Sequence, residues 1–366
     1  VDIMRQLSPS RVTLARGQIA LAWALAKAHQ LSDADQLLED AAALLGGNEQ
    51  SSEYADLLIT RGYTASVRER YHDALVCFRN ASKIYKAGSG NGQHLFLAAK
   101  TWEGRIAHTL GDVKTAEERY FSALCEAEAI LPDNHALIGG IRCGLGELYL
   151  DIGLNSAAKD QLERALKIAS SAFGADSIEV AEVLFHLVRL SSADRSLSEG
   201  YSRRAIEIIR LQSGDAMEDF RIRWLRIVNL LVQGKSGYTD AIELLQASCS
   251  DNEILASTQC FSHLVAKQML SILLCATGRT SEGVELARDV ICTERVLLGK
   301  EHFAFNLSRM MLAYDLSING KYREAWTLLQ EAIDASTDVE MLRTSALSES
   351  ERTRYLEQLD PLLAGC

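Results

Sequence analysis

Apolar residues along this chain recur at helical rather than strand spacing. Leu145, Leu148, Tyr149 and Ile152 fall at i, i+3, i+4 and i+7, the pattern of one buried face on an amphipathic helix. Gly153 follows, as suits the left-handed backbone at a helix C-terminus, where a Cβ is penalised. A second apolar stripe comes next, Leu162, Ala165, Leu166 and Ile168/Ala169. In an equivalent segment Glu117 and Glu118 open the second stripe, and acids are favourable near a helix N-terminus. The local expectation is helix, short turn, helix.

The same unit returns at a fixed interval. "GDVKTAEERYFSAL" from Gly111, "GLNSAAKDQLERAL" from Gly153, "GRTSEGVELARDVI" from Gly278 and "GKYREAWTLLQEAI" from Gly320 align on a glycine and a small residue. That small residue falls at Ala34, Ala74, Ala116, Ala158, Ala241, Gly283 and Ala325, in steps of 40, 42, 42, 83, 42 and 42. The step of 83 spans two periods, which places a degenerate unit with a shortened turn at Val180 to Ile208. The segment from Gly234 carries two extra residues before its alanine. Eight units then run from about Arg11 to Ser336. Small residues at a helix crossing let two axes close to about 8–10 Å. One pair cannot hide its apolar stripe alone, so the repetition predicts a stack in which neighbours complete the core.

Composition agrees with this. The chain has 366 residues, 48% of them hydrophobic, and only three prolines, Pro9, Pro132 and Pro361. Alanine and leucine are abundant and β-branched runs are few, a balance that favours helix. The net charge of −11 disfavours general binding to phosphate backbones. Charge is uneven: residues 31–56 hold seven acids and no Lys or Arg, whereas residues 189–226 hold eight arginines against six acids. Eight cysteines form no C-x-x-C pair and mostly sit in apolar helical patterns, as small buried groups do in a reducing, cytoplasmic setting. No signal-peptide pattern opens the sequence, and no apolar run reaches the roughly 18 residues of a membrane span.

The spacing of small and large positions resembles the tetratricopeptide repeat (TPR). Gly146, Tyr149, Ala158, Leu162 and Ala165 fit that pattern. So do Gly104, Ala116, Tyr120 and Ala123, then Gly62, Ala74, Phe78 and Ala81, and then Ala313, Ala325, Leu329 and Ala332. The period near 42 resembles the kinesin-light-chain type, whose linkers are similar to "LPDNHALIG", "FGADSIEVA" and "LGKEHFAF" here, although the proline that follows the linker histidine is replaced by Ala136, Ile178 and Phe303. The resemblance implies an all-α, right-handed superhelical solenoid of about eight helix pairs over residues 1–345, with a capping or linker helix over 346–366. The paired asparagines that hold cargo in kinesin light chains are absent: the best match is "LFHLV", Leu184 to Val188. "ALSESERTRYLEQLDPLLAG" resembles the segment that joins such arrays to a caspase-like CHAT protease in bacterial proteins, which leaves a protease-regulating module as an alternative to a plain scaffold.

Chemistry is sparse. H-E-x-x-H, G-x-S-x-G and the two phosphate-binding glycine motifs do not occur. "GSGNGQH", from Gly88 to His94, follows no strand and reads as a loop. His135 and His302 match linker histidines. The chain is therefore expected to be no enzyme and to need no cofactor or metal. By the family's geometry, the inward positions of the first helices are Trp23, Tyr63, Arg105, His108, Phe185, Arg189, Met310 and Tyr314, with Arg226 beside them. Trp, Tyr and Arg are enriched at binding hot spots. The implied partner is a protein or peptide with apolar anchors and some acidic residues. Self-association of the acidic end with the basic middle would rest on surface pairs worth about 0–1 kcal/mol each, too little to hold a dimer by charge alone.

Overall fold

The structure is a computed structural model that describes residues 10–27, 30–87, 93–191, 194–213, 220–255, 261–297 and 302–331. The segments 88–92 and 346–366, read above as a loop and a terminal helix, lie outside the described residues, as do Cys260 and Cys366. The described residues contain α-helices, one 3-10 turn and no strand. The helices come in consecutive pairs. In order these are α1 (Arg11–Lys27) with α2 (Leu31–Leu45), α3 (Ser52–Val67) with α4 (Tyr71–Ala87), α5 (Gln93–Thr109) with α6 (Val113–Ile130), and α7 (Ala136–Asp151) with α8 (Asn155–Phe173). Next come α9 (Ile178–Leu190) with α10 (Arg195–Ser213), α11 (Phe220–Val232) with α12 (Tyr238–Leu255), α13 (Phe261–Ala276) with α14 (Thr280–Leu297), and α15 (Phe303–Ile318) with α16 (322–331). Two compact units divide within α9, after Val183.

In the first unit the pairing follows from one contact repeated. The small residues Ala34, Ala74, Ala116 and Ala158 are fully buried, and four residues later stand Leu38, Phe78, Tyr120 and Leu162, at most 1% exposed. Each large side chain lies against a small residue of the first helix. A Cβ on Gly62 would stand 2.8 Å from the Phe78 ring, one on Gly104 3.1 Å from Tyr120, and one on Gly146 2.6 Å from Leu162. Tyr120 also reaches forward, since a Cβ on Gly144 of the next pair would meet its ring at 2.7 Å. Adjacent pairs are thereby keyed together, and α1 meets α3 as α5 meets α7.

The turn glycines behave as their spacing predicts. Gly111 has φ 79° and Gly278 φ 88°, values a side chain rarely adopts. Asp112 then caps α6, accepting from the Thr115 N–H at 3.0 Å. In the second pair Glu69 occupies the turn, with φ 59°. Of the linker histidines, His135 caps α7 by accepting from the Leu137 N–H, and His302 is buried just before α15.

The second unit shows how irregular segments are absorbed. Where the spacing leaves a gap, Ser198 takes the small position and Ser202 the large one, both fully buried. Asn229 on α11 donates to the Ser202 hydroxyl at 2.9 Å, so a polar link stands where other pairs pack an apolar side chain. The two extra residues after Gly234 form the 3-10 turn Gly234–Gly237. Gly237 there sits so close that a Cβ would come 2.2 Å from the Leu230 carbonyl. In the α13–α14 pair the crossing residue is itself a glycine: a Cβ on Gly283 would lie 2.6 Å from the Ser271 carbonyl and 2.5 Å from the Cys275 sulfur. Between α14 and α15, Glu294 is buried, and among the described residues only the Ser308 hydroxyl, at 3.2 Å, is bonded to its carboxyl. Burial pushes its pKa up to about 7.

Two measurements check these packing arguments. Gly283→Ala should lower unfolding stability by about 1–3 kcal/mol, because the close contact is to backbone. Gly140→Ala, on an exposed helical position with nothing near its Cβ, should raise it by about 0.5–1 kcal/mol. Urea unfolding of both variants reads the opposite signs. For Glu294, a folded pKa above the unfolded one means the folded state holds its proton more tightly. Its contribution is most favourable below pH 4.5 and is lost as pH rises toward 7. The difference between wild type and Glu294→Gln should therefore change over that window by on the order of 3 kcal/mol. A flat difference across it would show the carboxyl to be paired or hydrated.

Candidate functional groove

The first helices of the first unit carry a ladder built by the period itself. Trp23, Tyr63, Arg105 and Glu147 occupy one repeat position on α1, α3, α5 and α7. Trp23 and Tyr63 pack with ring centroids 4.6 Å apart. Trp102, one turn before Arg105, joins them edge-on at 5.6 Å from Tyr63 and 6.4 Å from Trp23. Its other contact is with Phe78, stacked at 5.4 Å and buried behind it. The triad is half-buried, so each ring keeps a solvent-facing part.

Arg105 stands at the edge of this cluster. Its guanidinium lies over the Trp102 ring at 5.2 Å, a cation–π contact. The side chain is exposed to solvent. Burial acts against its charge, but the Tyr120 hydroxyl and the Glu147 and Glu182 carboxylates outweigh it, so the guanidinium stays protonated. Beneath, the Tyr120 hydroxyl is buried near Arg105, and burial raises its pKa. Burial likewise pushes the Cys143 thiol, near Arg105 on α7, up to about 12, which removes it as a nucleophile at neutral pH.

His108, one turn beyond Arg105, points elsewhere. It is 6% exposed and its Nε2 lies 3.0 Å from Asp151 of the next pair. That contact belongs to a set of polar braces between helices, some within a pair and some between successive pairs. Lys100 donates to Ser122 and, at 2.7 Å, to Glu126; Arg142 holds Glu128 and Gln161; Tyr149 donates to Glu117 at 3.0 Å. These braces fix the helices that bear the ladder.

The other expected site residues stand on three helices of the second unit. Phe185 is half-buried, edge-on to His186 at 5.6 Å, and Arg189 lies one turn further along α9. Arg226, on α11, lines an open cleft of about 500 Å³ with Leu230, Asp240 and Glu243. On α15, Met310 is half-buried and Tyr314 is 53% exposed. Spacing thus brings Trp23, Tyr63 and Arg105 together, and it passed over Trp102, Glu147 and Glu182. Glu147 carries the signal that finds it, since it follows Arg105 by the same 42 residues that separate Arg105 from Tyr63. Among the described residues no three His, Cys, Asp or Glu side chains gather as a metal site would require, and no helix is long and apolar enough to cross a membrane.

The likeness to solved structures covers nearly the whole chain. A Rap protein complexed with competence and sporulation factor aligns over 96% of this chain and 99% of its own, at TM-score 0.60 and 13% identity. NprR in complex with its cognate peptide NprX aligns over 95% and 98%, at TM-score 0.60 and 12% identity. The Rap conjugation gene regulator of plasmid pLS20, in complex with the Phr* peptide, aligns over 93% and 99%, at TM-score 0.53 and 12% identity. The fold is that of tetratricopeptide-type repeats. At these identities the likeness establishes the fold alone. No family model matches the sequence. One curated relative, the protein-lysine N-methyltransferase SMYD4 of Danio rerio, is 31% identical over 102 residues, which is 27% of this chain and 14% of that protein.

The packing of Tyr120 generates a direct check. Tyr120→Phe removes only the buried hydroxyl and should leave stability within about 1 kcal/mol of wild type. Tyr120→Ala empties the space between Gly104 and Gly144 and should cost about 3–5 kcal/mol. Thermal unfolding of the two variants separates hydroxyl from ring.

Proposed function

We propose that this chain is a protein-interaction scaffold that takes a peptide or protein segment in the groove lined by α1, α3, α5 and α7, and that it carries out no catalysis of its own. The observation that carries this reading is the half-buried Trp23–Tyr63–Trp102 cluster with the exposed Arg105 stacked on its edge. Large rigid aromatics supply contact area at low entropic cost, and a guanidinium supplies several donors in fixed geometry. An apolar side chain of the ligand rests on the triad, and a carbonyl or carboxylate accepts from Arg105. Two structurally similar proteins hold peptides in their solved complexes, which supports the reading by analogy of fold. The described cysteines form no disulfide with one another, as suits a partner-binding protein of a reducing compartment such as the cytoplasm.

The test begins with affinity capture and mass spectrometry to obtain a partner. Calorimetry then compares wild type with Arg105→Glu and Tyr63→Ala. Each variant should bind at least about tenfold more weakly, the scale of one lost hot-spot contact. Wild-type affinity in both variants, with folding intact by circular dichroism, would remove the groove from the interface.

A further inference from the structure

One position of the repeat joins each pair to the next. It is the residue directly after the small crossing residue of the second helix. On α2 it is Asp35, which pairs with Arg68 of α3 at 2.6 Å. On α4 it is Leu75, packed in the cluster that Ile106 of α5 completes. On α6 it is Glu117, which accepts from Tyr149 of α7 at 3.0 Å. In the second unit, Ile242 of α12 is buried in one cluster with Leu270, Leu273 and Leu274 of α13, and Val284 of α14 in another with Leu312, Ala313 and Leu316 of α15. On α16 the same position is Trp326, 46% exposed, and one turn before it stands Tyr322, 58% exposed. The helix itself is seated: Ala325 is fully buried, and Leu328 and Leu329 pack back on the α14–α15 core. Two aromatic side chains therefore stand open where the earlier pairs receive a first helix.

The chain that follows carries a segment suited to that face. Ser348 and Glu351 form the S-x-x-E of a capping box, Tyr355, Leu356 and Leu359 fall on one helical face, and Pro361 closes the run. A helix of this length is marginal in water on its own, below about 12–15 residues, and depends on a surface to lie on. The described pairs are joined to the next by four to six residues. Here residues 332–348 intervene, ample chain to return antiparallel to α16. That direction brings Glu357 and Asp360 beside Lys321 and Arg323, which are exposed and make no ion pair among the described residues. Exposed pairs add only about 0–1 kcal/mol each, so charge sets the direction and apolar burial supplies the contact. We infer that residues 349–360 form a helix that docks on Tyr322 and Trp326 in the manner of a next first helix, with Tyr355, Leu356 and Leu359 turned to α16. A tethered segment acts at an effective concentration of roughly millimolar, which favours it over the same segment of a second copy. Of the two roles read from sequence for residues 346–366, this is the cap. It ends the stack, since a bare apolar face would accept another copy. The inference stands independently of the groove in the first unit.

Hydrogen–deuterium exchange on the full chain, read by mass spectrometry, tests the contact. Amides of residues 350–360 should exchange at least about tenfold more slowly than in the free peptide 346–366, at low and at high protein concentration alike. Trp326→Asp and, separately, Leu359→Asp should each return them to the free-peptide rate, and Leu359→Asp should also speed exchange within α16. Leu359→Asp leaves the packed pairs untouched, so it reads the contact even if Trp326→Asp loosens α16. Phe121→Asp, at an equally exposed aromatic of α6, should leave the protection intact. Free-peptide exchange in the wild type overturns the inference. So does protection that survives both Tyr322→Asp and Trp326→Asp with circular dichroism unchanged. Protection that grows with protein concentration, alongside a dimer in sedimentation, gives the face to a second copy and overturns the intramolecular cap.

Discussion

The contact on which everything else depends is a large side chain laid flat against a residue that has no side chain to oppose it. Phe78 on Gly62, Tyr120 on Gly104 and Leu162 on Gly146 are the same event repeated. Each sets the separation of two antiparallel helices, and Tyr120 extends the rule to the next pair through Gly144. Since interiors are packed to crystalline density, such a contact admits little variation. Helix separation, the orientation of the first helices and the lateral spacing of the ladder are all consequences of it.

Polar braces complete what the apolar contact begins. Lys100, His108, Arg142 and Tyr149 each bond across to another helix, and the first three are themselves buried. A buried polar group without its partner costs on the order of 1–3 kcal/mol, so each brace penalises slippage between the helices it joins more than it adds to stability. The result is a fixed scaffold on which half-buried aromatics and an exposed arginine hold their positions. Preorganisation of this kind lowers the ordering cost that a ligand must otherwise offset.

The second unit obtains the same architecture with different chemistry. Ser202 bonded to Asn229 replaces an apolar contact, a 3-10 turn takes up two residues, and Gly283 lets one pair approach more closely than alanine would. The half-buried Arg226 and the exposed Tyr314 stand on separate helices there. The first unit concentrates the same residue types in one groove.

By itself the sequence determined the repeat. A period near 42, glycines at the turns and small residues at the crossings fix helix, turn and pairing, because these are local constraints of backbone conformation and helix contact. The irregular fifth pair was visible only as a gap of 83, since Ser198 and Ser202 belong to no apolar pattern. Residues of the groove were partly legible: Trp23, Tyr63 and Arg105 follow from position in the repeat, whereas Trp102 lies off that position and Glu182 belongs to a later pair. His108 shares a helix with Arg105 but turns into the seam toward Asp151, a choice that needs a partner 43 residues away. Only tertiary structure decides such matters, because which rings meet and which charges face a common gap depends on distances between helices that no single helix contains.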